Sequence, residues 1–234
     1  MHREDTIFRT ALGFLLVKTI LFDWDGTIVD SIRALFETDE AICRKVGVPF
    51  DEAIFRRTFS PNWRLMYDSL GIPEDRVADA VQVWSQTFRA DLTQPFPGVQ
   101  AALGRLAAAG CRLGIVTGGS RPEIEPQIGR LGLEELLAVR VYGHDTDAGK
   151  PDPRPLRLAL AMAGDVRPED ATYVGDALDD VRMAAAAGVR GVGIVSMLST
   201  GEELVAAGAS EYASSVVEWV DRHLAGSPRM GDRV

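Results

Sequence analysis

The chain predicts an α/β fold: a parallel sheet with helices on both faces and an all-helical insertion near its start. Three observations carry that expectation. Short apolar runs at residues 19–22, 112–116 and 171–174 are each followed by a turn and a helical pattern, as in buried parallel strands of βα units. From residue 98 onward such strands alternate with helices. Between the first strand and residue 94 the pattern is helical, with few β signals.

Residues 1–18 carry mixed charge without a strong period and are read as an extension. After the first strand, Asp30 and Ser31 are suited to cap a helix running towards Val46, with Ile32, Leu35, Phe36 and Ile42 as its apolar stripe. Helical patterns continue over 51–58, 62–70 and 74–92. In the last, Val77, Val81, Trp84 and Phe88 recur at spacings of three and four and make one apolar face. Pro95-Phe96-Pro97-Gly98 breaks the pattern. Beyond it the expected order is helix 99–109 closed by Gly110, strand 113–116, helix 121–131 and a weaker strand 139–142. Helix 155–163, strand 172–174, helix 178–187, strand 192–195 and shorter helices near 203–206 and 216–224 complete it. The simplest architecture is a Rossmann-like core of residues 1–30 and 95–234, with a helical cap domain, 31–94, inserted directly after the first strand. Ligands of open α/β sheets sit outside the carboxyl ends of the strands, so an insertion there is a lid by position.

The composition narrows the function. A length of 234 residues, 46% apolar and 25% charged, suits a globular chain with a sizeable core. A formal net charge of −9 argues against nucleic acid or an anionic membrane as partner. It leaves room for a small anionic substrate, whose charge a metal ion and one lysine can meet locally. Cys43 and Cys111 make no disulfide framework and read as small apolar residues. The apolar stretch 11–17 is too short to span a bilayer and lacks a cleavage site after it, so the expected location is cytoplasmic.

Four stretches place chemistry at strand ends. In Asp23-Trp24-Asp25-Gly26-Thr27, the period of two of an extended chain brings Asp23 and Asp25 to one reacting centre, and Gly26 lets the backbone turn. One carboxylate can attack phosphorus while the other serves as general acid and then base. Asp-Gly is a common turn dipeptide, but two aspartates flanking a tryptophan exceed what a turn needs. Thr117 with Gly118-Gly119-Ser120 opens a helix whose N–H groups suit a phosphoryl oxygen, although a capped turn reads the same way. Lys150, in Gly149-Lys150-Pro151, is one of three lysines, with Lys18 and Lys45, among abundant arginines. A compact ammonium there can contact a phosphate and Asp23 together. Asp176 ends a strand and suits Mg²⁺, which needs one or two carboxylates besides substrate and water. Asp179 and Asp180 lie at the start of the next helix, where acidic residues are favoured in any case.

Together these motifs, in this order from about residue 19 to 224, resemble the haloacid dehalogenase-like superfamily, especially its phosphoglycolate phosphatase-like members with a small helical cap. The stretches Ile20-Leu21-Phe22-Asp23-Trp24-Asp25-Gly26-Thr27 and Val174-Gly175-Asp176-Ala177-Leu178-Asp179-Asp180 are the specific matches. The resemblance implies a Mg²⁺-dependent phosphatase acting on a small phosphorylated metabolite through an aspartyl-phosphate. It makes Asp23 the nucleophile and a metal ligand, and Asp25 the acid/base with its carbonyl on the metal. Thr117 and Lys150 hold the phosphoryl group, Asp176 is the remaining metal ligand, and Asp180 braces Lys150 or a metal-bound water. Gly118 stands where the family often has asparagine, leaving phosphate contacts there to the backbone. Asn62 and Arg64, in the cap loop, would touch the leaving group; a helix-capping Asn and a surface Arg is the plainer reading.

Other readings are weaker on the same residues. A dehalogenase has no use for Asp25, and a phosphonatase would need a cap lysine, for which Lys45 lies too far along its helix. A sugar-phosphate mutase shares the Asp23 chemistry and differs in what the cap admits. A phospho-accepting receiver is about half this length and has no cap; a silent binding protein would not need the full set. His144 reads as a loop histidine. The protein is expected to be a monomer or homodimer.

Overall fold

The computed structural model describes residues 18–226. All of the expected extension except Lys18 therefore lies outside the described residues. From β1 (Thr19–Phe22) a tight loop leads to β2 (Val29–Asp30). The chain then forms α1 (Ile32–Val46), α2 (Glu52–Thr58), α3 (Trp63–Leu70) and α4 (Val77–Thr87), and returns through β3 (Gln94–Pro95). After α5 (Val99–Ala108) come β4 (Arg112–Val116), α6 (Arg121–Arg130), β5 (Leu137–Val141), α7 (Arg154–Met162) and β6 (Ala171–Gly175). α8 (Leu178–Ala187), β7 (Arg190–Ile194), α9 (Gly201–Ala206), β8 (Glu211–Ala213) and α10 (Val216–Ala225) follow. Among the described residues no helix is long and apolar enough to cross a membrane.

Six parallel strands form one sheet in the order β5-β4-β1-β6-β7-β8. β1 is central and buried on both faces, which is why its sequence is continuously apolar rather than alternating. Ile20 and Phe22 face one core cluster with α5, α6 and α10. Leu21 faces the other, with α7 and α8. The strand order runs from β1 to β4 and β5 on one side and to β6, β7 and β8 on the other. Connections therefore diverge between β1 and β6, and that divergence opens a crevice at the carboxyl ends.

α1–α4 gather around a separate apolar cluster that includes Ile42, Cys43, Phe55, Met66 and Leu70 and meets the core at Ala177 and Leu198. The antiparallel pair β2–β3, with Val29 opposite Pro95, joins these helices to the sheet. The helix expected over 74–92 is broken. A 3₁₀ turn at Glu74–Arg76 precedes α4, and the backbone becomes extended at Phe88 before a second turn at Ala90–Leu92. There the chain turns back to reach β3, and Phe88 stacks on Trp84 with ring centroids 4.8 Å apart. Val81, expected on the buried face, is 50% exposed, while Ala80 is fully buried. The small Ala80, rather than Val81, lies at the packed surface of α4.

The strand expected at 139–142 begins two residues earlier, and β7 is likewise shifted towards its start. β2, β3 and β8 were not expected. They have two or three residues each and include polar, partly exposed positions, too short for an alternating pattern to declare itself.

Candidate active site

β1 pairing continues one residue past its end, because the Asp23 N–H donates to the Val174 carbonyl at 2.8 Å. The loop then folds on itself: the Trp24 carbonyl accepts from Ile28 and Val29, and the Gly26 N–H donates to Val29. Gly26 has φ 75°, and a Cβ there would run into the Asp176 carboxylate. Both its conformation and its neighbour demand glycine. Trp24 is buried, with its ring N–H donating to Gln127 Oε1 at 3.2 Å. Asp23 and Asp25 line one cavity together, as the period of two anticipates.

Ser31 was expected to cap α1, but its side chain makes no capping hydrogen bond. Its hydroxyl donates to Asp25 Oδ1 at 2.6 Å instead. A buried carboxylate gains more from that donor than a helix terminus does. Burial still raises the Asp25 pKa above the ordinary carboxylate value, with Ser31 and Lys150 opposing.

Thr117 follows β4, with its N–H on the Val141 carbonyl at 3.0 Å. Its Oγ1 accepts from the Gly119 N–H at 3.0 Å, leaving the hydroxyl proton available to a ligand. Gly118 is wedged under the cap loop: a Cβ there would collide with the Pro61 carbonyl. That close approach leaves no room for a side chain at position 118.

Lys150 is buried, with Nζ 2.6 Å from Asp23 Oδ1 and 2.7 Å from Asp180 Oδ1. Both oxygens of Asp180 are engaged: the Tyr173 hydroxyl lies 3.1 Å from Oδ1, and the Ala177 N–H donates to Oδ2 at 3.0 Å. Of the two roles left open for Asp180, bracing Lys150 is the one its contacts match. Burial works against the Lys150 charge, but Asp180 and Asp23 outweigh it and hold the ammonium above its ordinary pKa.

Asp176 Oδ1 accepts from the Thr27 hydroxyl at 3.2 Å, while its buried Oδ2 has no donor among the described residues. Carboxylate oxygens of Asp23, Asp176 and Asp180 all lie within 4.8 Å of one another. Burial pushes Asp23 up to about 7, with Asp180 adding and Lys150 opposing. Asp176 is raised well above the carboxylate range by burial, then by Asp180 and Asp23. These oxygens, one of them orphaned, fit a hard divalent cation that would neutralise the excess negative charge. With Asp180 already engaged, Asp23 and Asp176 are the side chains free to hold it.

A cavity of about 360 Å³ separates this edge from the helical insertion. Asp23, Asp25, Thr117 and Gly118 line its core side, and Leu35, Asp39, Phe59, Met66, Tyr67, Val81, Trp84 and Phe88 its cap side. Asn62 and Arg64 lie elsewhere, on a neighbouring cavity of about 290 Å³ that Lys150 borders. Asn62 caps α3, accepting from the Arg64 N–H at 3.2 Å, and the Arg64 guanidinium sits 5.0 Å from the centroid of the Trp63 ring. His144 is exposed at the rim of both cavities, and Lys45 lines neither.

The family model of haloacid dehalogenase-like hydrolases matches residues 20–194. The chain belongs to that family. It is 31% identical to phosphoglycolate phosphatase of Rhodospirillum rubrum over 232 residues, covering 92% of this chain and 95% of that one. It is 28% identical to phosphorylated carbohydrates phosphatase of Thermotoga maritima over 200 residues, covering 82% and 92%. A solved hydrolase from Pseudomonas syringae shares the fold, with a TM-score of 0.80 at 21% identity over 90% of this chain and 100% of that one. The protein is thus a phosphatase-type haloacid dehalogenase-like hydrolase, of the phosphoglycolate phosphatase-like kind.

Three groups around the site of this hydrolase went unread in the sequence. Gln127, buried in α6, accepts from Trp24 and from Thr93 next to β3, and so ties the catalytic loop to the cap's return strand. Glu123 caps α6 through Ser120 and also receives the Trp84 ring N–H of the cap at 3.4 Å. Asp39 interrupts the apolar stripe of α1, four residues from both Leu35 and Cys43. A charge in register with an apolar face is a signal a sequence reading can use.

Proposed function

We propose that this hydrolase is a Mg²⁺-dependent phosphomonoesterase acting on a small phosphorylated metabolite through a transient phosphate ester of Asp23. The observation that carries the reading is Lys150, buried between Asp23 and Asp180, with the Asp23 that it holds lining one cavity together with Asp25 and Thr117. Lys150 holds Asp23 Oδ1 and leaves Oδ2, which no donor reaches among the described residues, to attack phosphorus. The Thr117 hydroxyl and neighbouring backbone N–H groups hold the phosphoryl oxygens. Asp25, whose carboxyl keeps its proton more readily than usual, protonates the departing alcohol. It then takes a proton from the water that attacks phosphorus and releases Asp23. When bound by Asp23 and Asp176, Mg²⁺ supplies positive charge against the phosphate dianion.

Water, rather than a second phosphorylated substrate, is the acceptor that the cavity favours. No Lys or Arg lines it among the described residues, so nothing there would hold the second phosphate of a sugar bisphosphate. The test is steady-state hydrolysis of p-nitrophenyl phosphate with and without Mg²⁺. Turnover should require the ion, fall by about 10⁴-fold or more in Asp23→Asn, and fall by about 10²-fold in Asp25→Asn. Undiminished turnover in Asp23→Asn would remove the nucleophile from the mechanism.

A further inference from the structure

The cap side of the cavity is mostly apolar and carries one carboxylate. Asp39, on α1, is 3% exposed and lines the cavity beside Leu35, Met66 and Tyr67. No hydrogen bond or ion pair reaches its carboxylate among the described residues. The other cap-facing carboxylate, Glu123, is satisfied by Ser120 and Trp84. A buried ionised group without a partner is costly, and folded proteins hold one where it meets something not in the chain. Burial alone pushes the Asp39 carboxyl up to about 7. Among the described residues no Lys or Arg lies on this wall, so a leaving group carrying a carboxylate or a second phosphate would meet repulsion from Asp39. A leaving group carrying a positive nitrogen would pair with Asp39, and the aromatic residues Tyr67, Trp84 and Phe88 that line the same cavity are compatible with such a cation.

Building on the phosphomonoesterase reading, we infer that Asp39 is a specificity-determining residue that selects phosphomonoesters whose alcohol bears a protonated or quaternary amine on an apolar body. The phosphate dianion then binds at the core edge and the cation at the cap, so the two ends of the substrate are read by the two halves of the cavity. This separates selection from chemistry: Asp39 touches the leaving group and takes no part in bond making.

The test is a matched series, 4-(aminomethyl)phenyl, 4-methylphenyl and 4-carboxyphenyl phosphate, assayed as kcat/KM with the full chain and Mg²⁺. The wild type should prefer the cationic ester over the neutral one by about tenfold, the scale of one added charge contact, and rank the anionic ester last. Asp39→Asn should erase that preference, chiefly through KM for the cationic ester, while leaving the neutral ester within about threefold of wild type. The neutral ester also reports that the variant is folded. A wild-type ranking led by the neutral or anionic ester, or an unchanged ranking in Asp39→Asn, overturns the inference while leaving the phosphomonoesterase reading intact. Failure of the wild type to hydrolyse any ester overturns both.

Discussion

On the core side of the cavity the titratable side chains hold one another, whereas on the cap side the one buried carboxylate of α1 has no partner among the described residues. Lys150 lies 2.6 Å from Asp23 and 2.7 Å from Asp180, and Ser31 lies 2.6 Å from Asp25. Two core oxygens, Asp23 Oδ2 and Asp176 Oδ2, have no donor among the described residues, and they lie where a cation is expected. Asp39 stands in an apolar wall with only desolvation acting on it. The core edge is therefore a network tied together by Lys150, whose remaining negative charge a divalent cation would meet. The cap wall carries a carboxylate that no side chain pairs with among the described residues, and its charged form works against folding.

The largest way to break that contrast is Lys150→Met. It leaves Asp23 and Asp180 buried together without their cation, and should cost about 3–5 kcal/mol in urea unfolding at neutral pH. Adding Asp23→Asn to that variant should restore part of the loss, because one of the stranded charges is gone. Additive losses would mean that the clamp is not an electrostatic unit.

Asp39→Asn should act in the opposite direction. The folded-state pKa near 7 lies above the unfolded value of about 3.9, so the folded protein holds that proton more tightly. The contribution of Asp39 to stability is therefore most favourable below about pH 4 and is lost as pH rises to about 7. The variant escapes this loss. It should exceed wild type by about 2–4 kcal/mol above pH 7, with the gain vanishing towards pH 4, in urea unfolding across that range. A pH-independent difference would show that Asp39 is solvated rather than isolated.

The smallest effect sharpens the assignment of the cap loop. Asn62→Ala should cost about 1 kcal/mol through the lost α3 cap and leave the kcat for p-nitrophenyl phosphate within twofold. A large fall in kcat with unchanged stability would return Asn62 to the leaving group, despite its place on the neighbouring cavity.

What the sequence made legible follows the same division. Asp23, Asp25, Thr117 and Asp176 sit at or just after strand ends, and contiguous residues record their surroundings: an apolar run, a turn, a helix start. Gly26 is readable because the turn after Asp25 demands a positive φ, while its nearness to Asp176 is a second demand that only the fold reveals. Ser31 was misread because its hydroxyl had two possible partners and the sequence shows only the nearer one, the helix. The cap wall takes Leu35 and Asp39 from α1, Met66 and Tyr67 from α3, and Trp84 from α4. No contiguous stretch records that assembly. The helix over 74–92 failed for a related reason, since the need to return to β3 is imposed by Val29 and Asp30, some sixty residues earlier in the chain.

The pairing of Val29 with Pro95 bears on how this protein could have been built. The chain departs from the core and rejoins it at facing positions of one short ribbon, so excising everything between would leave ends that a hairpin turn can bridge. The same geometry would accept a transplanted module of another size without rerouting the sheet. Chimaeras made at this junction would exchange the selectivity of the enzyme and leave its reaction centre in place.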